Sequence, residues 1–443
     1  MPLTKVTYSM IDGAVVNVFD FGAVGDGVAD DTVALQNAMN QVGKTVFLPK
    51  GTYKTTATLT PRCSQIIGES ALDSIIKPSS AVTKVMSIHY GGVNAPYPTY
   101  LQGFKVDGAS TTNATGLYFG DVDSCAVTVD TIYVQNFTGT SGVGIRVGQM
   151  LKSNFRRVFA TGCYNGMLCL DPTGISFPTT IHFDSCVFSD NVNVGAEITT
   201  GYGLTFTSCI FESNLKHGSF LLPGTGGIIK NVVYQSCWFE QNGNVSPNLG
   251  SLVAGNYTAL GGAQIELIVR DCFFNLDVNY NKAIIFAGSA VGGVLSDPRF
   301  DYVPANCIEV RTNAFVTLTD WLPTGAADYQ TIVYAPDARV RTTNDIAYAR
   351  NGIVSCPTAT ATTIFTVPTG EDFTANVRVW FSGSSSVGTV TVSQSGAVGA
   401  TPVLLNNSVS GLTFSVSGQN IQVTQSSGSA ADCHWLYIKT YNF

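Results

Sequence analysis

Charge is scarce in this chain. Asp, Glu, Lys and Arg make up only 12% of its 443 residues, the net charge is −7, and no run of Lys or Arg occurs. A nucleic-acid partner needs a basic stripe to neutralise phosphates, so that class of function is excluded, and neutral polar ligands suit the surface better. No stretch approaches the roughly 20 apolar residues of a membrane-spanning helix. The opening segment MPLTKVTYSMIDGAVVNVFDFG reaches Asp12-Gly13 without an apolar core. No secretory signal is therefore expected, and synthesis in a cytoplasm is. The eleven cysteines include no CxxC pair, and the four histidines no His-x-His spacing. No zinc site, other metal or cofactor is expected, and most of the cysteines read as free, buried thiols.

What is abundant is glycine, 45 residues of it, with 45% hydrophobic residues. Glycine supplies the positive φ of tight turns, so the pair indicates a β-rich chain and disfavours a helical bundle.

The chain also repeats itself. LTFTSCIFESN from Leu204 returns as VVYQSCWFEQN from Val232, with further copies IHFDSCVFSDN from Ile181 and LIVRDCFFNLD from Leu267. Their cysteines, Cys186, Cys209, Cys237 and Cys272, lie 23, 28 and 35 residues apart, an irregular solenoid period whose loops absorb the difference. Within each copy the apolar residues alternate, slip by one, and alternate again: Leu204 and Phe206, then Thr207-Ser208, then Cys209 and Phe211. The same slip recurs at Asp130-Thr131, Arg156-Arg157, Gln235-Ser236 and Arg270-Asp271. A single strand has period two and cannot slip without turning its core face outward; two short strands joined by a two-residue bend can. Each copy is thus two sides of a coil, and stacking coils in parallel places like residues above like. The repeated cysteine becomes a rung of an internal ladder.

Ahead of the coils, Asp30 or Asp31 is placed to cap a helix whose Leu35, Ala38, Met39 and Val42 form one apolar stripe, a lid for the open end of a solenoid. Asp26, Asp30 and Asp31 lack the spacing and late Glu of a calcium loop and read as turn and cap residues. This segment resembles the N-terminal signature of pectate-lyase-like, right-handed parallel β-helix proteins, especially bacteriophage tailspikes and capsule depolymerases. The matching residues are Asp20-Phe21-Gly22-Ala23, Gly25-Asp26-Gly27, Asp30-Asp31-Thr32, Leu48-Pro49 and Gly51-Thr52-Tyr53.

The resulting expectation is an all-β chain. Residues 1–18 form a short segment for attachment to a virion baseplate or tail adaptor, and 19–346 a right-handed parallel β-helix. From 347 to 443, Ser/Thr/Gly-rich alternating segments form an antiparallel β-sandwich, which the resemblance assigns to trimerisation or carbohydrate binding. There Trp380 and Trp435 read either as core or as sugar platforms. The resemblance implies a homotrimeric tailspike on the virion, made in the host cytoplasm and acting outside the host cell. It would recognise and depolymerise a capsule, O-antigen or other bacterial surface polysaccharide.

For the chemistry, the third position after each ladder cysteine reads Ser189, Glu212, Glu240 and Asn275, and should face solvent. Glu212 and Glu240 then stand on neighbouring coils, with Asp190 one coil before. Two carboxylates at that separation suit glycoside hydrolysis, and their mutual repulsion raises one pKa so that a proton is available near neutrality. The plain alternative is a solvated turn. A lyase would instead need a base and a cation, which Lys216 and His217 offer. A spike that only binds its receptor is the third reading. Arg156 and Arg157 beside Asp130 and Asp184 read as an ion-pair ladder or an acidic-sugar subsite. Asn191, Asn214 and Asn242 read as left-handed turn residues.

Overall fold

The computed structural model describes residues 14–88, 97–108, 111–120, 126–170, 177–224, 227–243, 249–255, 264–276, 282–288, 291–300, 308–311, 314–319, 332–334, 339–342, 347–356, 360–366, 373–381, 387–394, 403–408, 412–425 and 431–440. The chain falls into two compact units, one of residues 1–285 with 298–304, the other of 286–297 with 305–443. Most of the expected attachment segment, residues 1–13, lies outside the described residues.

The first unit is a right-handed parallel β-helix. Each coil contributes a long strand, a short strand and a third strand on another sheet. For the Cys209 coil these are Gly201–Thr207, Ile210–Glu212 and His217–Leu221. All pair in parallel and in register with the same strands of the next coil: Thr205 with Val233, Phe211 with Phe239, Ser219 with Leu252. Inside, Phe155, Phe183, Phe206 and Tyr234 form one ring stack at 4.9, 4.6 and 4.8 Å. Phe188, Phe211, Phe239 and Phe274 form a second at 5.2, 4.8 and 4.9 Å.

The slip in the sequence pattern is made by one residue, not two. Thr207 still pairs with Gln235, and Gln235 with Arg270, whereas Ser208 has φ 52°. Thr131, Arg157, Ser185, Ser236 and Asp271 share this left-handed conformation at 50–55°. A single residue in that region swings the next side chain back inward, which restores the core face after the kink. The ladder cysteines follow directly and are buried. Their thiols donate to carbonyls of the preceding coil, Cys209 Sγ to Phe183 at 3.3 Å and Cys237 Sγ to Phe206 at 3.3 Å.

A second corner corrects an expectation. The left-handed residues there are Asp190, Ser213 and Gln241, while Asn191, Asn214 and Asn242 are turned inward and buried. Asn191 Nδ2 donates to Asn214 Oδ1 and Asn214 Nδ2 to Asn242 Oδ1, each at 2.8 Å, and the same amides reach the carbonyls of Ala160, Phe188 and Phe211. These asparagines satisfy buried backbone where the chain turns, the task that burial imposes on any polar group.

At the N-terminal end, the helix Thr32–Met39 buries Ala34, Leu35, Ala38 and Met39. Val42, expected on that stripe, is 60% exposed, because the helix stops at Asn40 and Gly43 turns the chain with φ +75°. Its N-cap position is Asp31, whose side chain makes no bond to the helix, and Asp30 before it accepts from the Thr32 amide at 3.0 Å. Asp31 instead accepts from the Val24 and Gly25 amides at 2.6 and 3.1 Å, and Asp26 holds the Val28 and Ala29 amides. The glycines of the motif serve a close approach: a Cβ on Gly51 would lie 2.9 Å from the Gly25 carbonyl oxygen.

In the second unit, parallel pairing runs from Val291–Ser296 through Phe315–Thr319 to Arg339–Thr342. From Ala347 it becomes antiparallel. Ala347–Cys356 pairs with Ala431–Thr440, which pairs with Phe373–Phe381, then Val387–Gln394 and Val403–Ser408. Thr362–Thr366, Asn420–Gln425 and Leu412–Ser417 form a second antiparallel sheet. Trp380 pairs with His434 and Trp435 with Val379. The side chains of Trp380 and Trp435 lie outside the described residues.

Candidate active site

The short strands Val187–Ser189, Ile210–Glu212, Trp238–Glu240 and Phe273–Asn275 end in one column. Ser189 is opposite Glu212, Glu212 opposite Glu240, and Glu240 opposite Asn275. Glu212 and Glu240 are half-buried, while Ser189 is buried rather than facing solvent.

The two carboxyls have different surroundings. Both oxygens of Glu240 are held, Oε2 by the indole N–H of Trp238 at 2.8 Å and Oε1 by Asn275 Nδ2 at 2.9 Å. Two donors to one carboxylate fix its direction. Glu212 has no such donors among the described residues. Partial burial, then the negative charges of Glu240 and Asp190, push its carboxyl above the ordinary glutamate value. Asp190 itself is exposed at the corner, its amide donating to the Glu212 carbonyl at 3.0 Å. One carboxyl is thus biased to keep its proton beside another whose two oxygens are held in place.

Lys216 and His217 separate in space. Lys216 is exposed, but His217 turns inward at the start of the third strand and is only 7% exposed. Its Nδ1 lies 3.1 Å from the Gly250 carbonyl and its ring packs on Phe220, and burial lowers its pKa to about 4. The Asn214 corner stands between this pair and Glu212. Arg157 is committed to Asp130 through Nη2 at 2.7 and 2.9 Å and Nε at 3.1 Å, with Asp130 buried. Arg156 makes a looser pair with Asp184, 3.8 Å, both half exposed.

Outward aromatic residues escaped the sequence reading. Trp238 stacks on Phe273 at 4.3 Å and 21°, and Tyr133 on Phe159 at 4.3 Å and 3°. The signal was present: one position after the ladder cysteine, alternation points outward, and Trp238 and Phe273 occupy that position. A half-buried carboxyl was missed as well. Glu197 Oε2 accepts from Asn165 Nδ2 at 2.7 Å, and burial raises its pKa.

Residues 15–238, just over half of the chain, match the family model described as "Rhamnogalacturonase A/epimerase, pectate lyase-like". The mannuronan C5-epimerase AlgE6 of Azotobacter vinelandii is 53% identical over 45 residues, 9% of this chain and 5% of that protein. The chain therefore spans about one twentieth of the length of this curated relative. Among solved structures, the gp42 tailspike of Acinetobacter phage vb_AbaP_AS12 has a TM-score of 0.49 at 15% identity, covering 98% of this chain and 83% of that one. The tailspike gp49 of Acinetobacter baumannii bacteriophage Fri1, described as a capsular polysaccharide depolymerase, has a TM-score of 0.37 at 14% identity, covering 97% and 86%.

Proposed function

The chain belongs to the pectate lyase-like family of rhamnogalacturonase A and epimerases, and from that premise we propose that it is a phage tailspike that hydrolyses a bacterial surface polysaccharide. The family name carries polysaccharide chemistry, and the N-terminal motif resembles that of tailspikes. The observation that carries the reaction is the Glu212–Glu240 register pair, with donors on both oxygens of Glu240 and a raised pKa at Glu212. Glu212 gives its proton to the glycosidic oxygen as that bond breaks, while Glu240 attacks the anomeric carbon. Water, deprotonated by Glu212, then releases the sugar from Glu240. Neighbouring coils stand about 4.8 Å apart. That spacing puts the two side chains within reach of one glycosidic bond.

A lyase or epimerase route requires a base that reaches the C5 proton. His217, buried against Gly250 and Phe220, offers none at the surface. In the same proposal the chain is a homotrimer on the virion tail, attached through its first residues and held together by the antiparallel segment after Ala347.

The experiment is a panel of purified capsular polysaccharides incubated with the protein, following product size and the ultraviolet absorbance of unsaturated uronates. Hydrolysis shortens the polymer without that absorbance. A rise in it sinks the hydrolase reading, and an unchanged polymer across the panel sinks depolymerisation. Light scattering checks the trimer, and a monodisperse monomer would sink that part.

A further inference from the structure

We propose that Trp238 and Phe273 form a binding subsite for one uncharged pyranose unit of the polymer. This rests on the polysaccharide reading above and deepens it by naming the sugar class beside the carboxyl pair.

The residues of the short-strand face that alternate with the core residues form two parallel columns, in which Ser189 alone is buried. One is apolar: Tyr133, Phe159, Val187, Ile210, Trp238 and Phe273 follow one another in register. The other, two residues later on the same face, is polar: Gln135, Thr161, Ser189, Glu212, Glu240 and Asn275. Two residues along a strand separate them by about 7 Å. A pyranose has the same division, a hydrocarbon face and a rim of hydroxyls.

Trp238 is the feature that points to a ligand. It is 39% exposed, an unusual state for the largest apolar side chain. A tryptophan at a wet surface normally turns its N–H to water. Here the N–H is spent on Glu240 Oε2 two residues along the same face, so the part left to solvent is hydrocarbon, and the ring is pinned between that bond and the Phe273 stack. A flat, fixed apolar surface covering two coils is prepaid ordering for a ring that lies on it.

A second copy of the chain would fit this surface poorly. The apolar column is one side chain wide and bordered by Glu212, Glu240 and Asp190. A protein packed over it would strip water from carboxylates and leave them unpaired, and interface cores are depleted of such charges. Sugar hydroxyls instead donate to carboxylates and keep them satisfied. The same carboxyls decide the sugar class: a uronate placed over Trp238 would add a further negative charge beside Glu240 and Asp190, whose charges already raise the Glu212 carboxyl, whereas a hexose or N-acetylhexosamine adds none.

The test uses the full chain carrying Glu212→Gln, so that polymer is not consumed, titrated with the purified capsular polysaccharides of the panel. Adding Trp238→Ala or Phe273→Ala should weaken binding by roughly tenfold or more, and Trp238→Phe, which keeps a ring, by less than about threefold. Mass in light scattering and melting temperature should not change. In the wild type, bound polysaccharide should protect tryptophan fluorescence from iodide, and sugar analysis should find an uncharged unit beside the cleaved bond. Unchanged binding in both alanine variants overturns the subsite, as does a change in oligomeric mass, which would make this face an interface between copies. Uronic acids on both sides of the cleaved bond overturn the sugar class. If the wild type binds a polysaccharide through Trp238 but cleaves none, the subsite stands and the hydrolase reading falls. If it binds none of the panel, both fall.

Discussion

Glu212 and Glu240 are register partners on adjacent short strands, yet only Glu240 has both oxygens held by donors, from Trp238 and Asn275. In the proposed hydrolysis this asymmetry makes Glu212 the acid and Glu240 the nucleophile. Glu212→Gln or Glu240→Gln should each lower depolymerisation by about 100-fold or more, the usual scale of acid–base assistance, while polysaccharide binding persists. Nuclear magnetic resonance of the first product should show retention at the anomeric carbon. Full activity in both variants would reduce the column to decoration.

Asp190 contributes a negative charge that helps raise the Glu212 carboxyl. Asp190→Asn should therefore lower that pKa, and the alkaline limb of kcat/KM, where the general acid is lost, should move to lower pH. The effect is modest because both groups are solvated and screened. A limb that stays in place or moves upward would contradict the assignment.

The kink and the cysteine rung were legible because alternation is a local property: a slip of one between Phe206 and Cys209 can be read without knowing what lies above or below. The asparagine ladder was not. Asn191, Asn214 and Asn242 have turn chemistry, and whether they face in or out is decided by the conformation of the preceding residue, which no composition rule fixes. Lys216 and His217 show the same limit, since adjacent residues entering a strand point to opposite sides. The Glu212–Glu240 column followed from the cysteine register. The Trp238–Phe273 pair, one position after the cysteine, follows from it equally.

Asn214 accepts from Asn191 and donates to Asn242 and to the Phe188 carbonyl while only 1% exposed. Asn214→Ala removes the side-chain partner of the Asn191 backbone N–H and one partner each from Asn191 Nδ2, Asn242 Oδ1 and the Phe188 carbonyl. We expect a loss on the order of 3 kcal/mol in guanidinium unfolding, well above that of an exposed asparagine such as Asn37→Ala.

His217 supplies a pH dependence of stability. Its pKa falls from 6.5 to about 4 on folding, so the unfolded chain binds the proton more readily. The contribution is complete above the unfolded pKa and is lost as pH falls through the folded one. It amounts to roughly 3 kcal/mol by the size of the shift. Urea midpoints of the wild type should drop between pH 6.5 and pH 4, and His217→Asn, less stable at pH 7, should show a shallower drop. Equal slopes in the two proteins would rule out His217 as the source.

Cys186, Cys209, Cys237 and Cys272 are buried, and burial holds the Cys209 and Cys272 thiols well above the usual range. Thiol reagents should leave all four unlabelled until denaturant is added. Rapid labelling of native protein at any of them would break the register. Cys209→Ser should cost about 1 kcal/mol, the low end for a buried hydroxyl, because the Phe183 carbonyl stands ready to accept from it.

The in-register coils have a mechanical consequence. Their strands lie across the long axis of the β-helix, so backbone hydrogen bonds, cysteine rungs and asparagine amides all run along it. A pull along that axis loads every bond of a coil boundary together, and none can yield until the whole boundary opens. A pull on one strand end loads them one after another. The same bonds thus make a rod that resists tension along its length and peels from the side, the difference between lifting a zipper whole and opening it tooth by tooth.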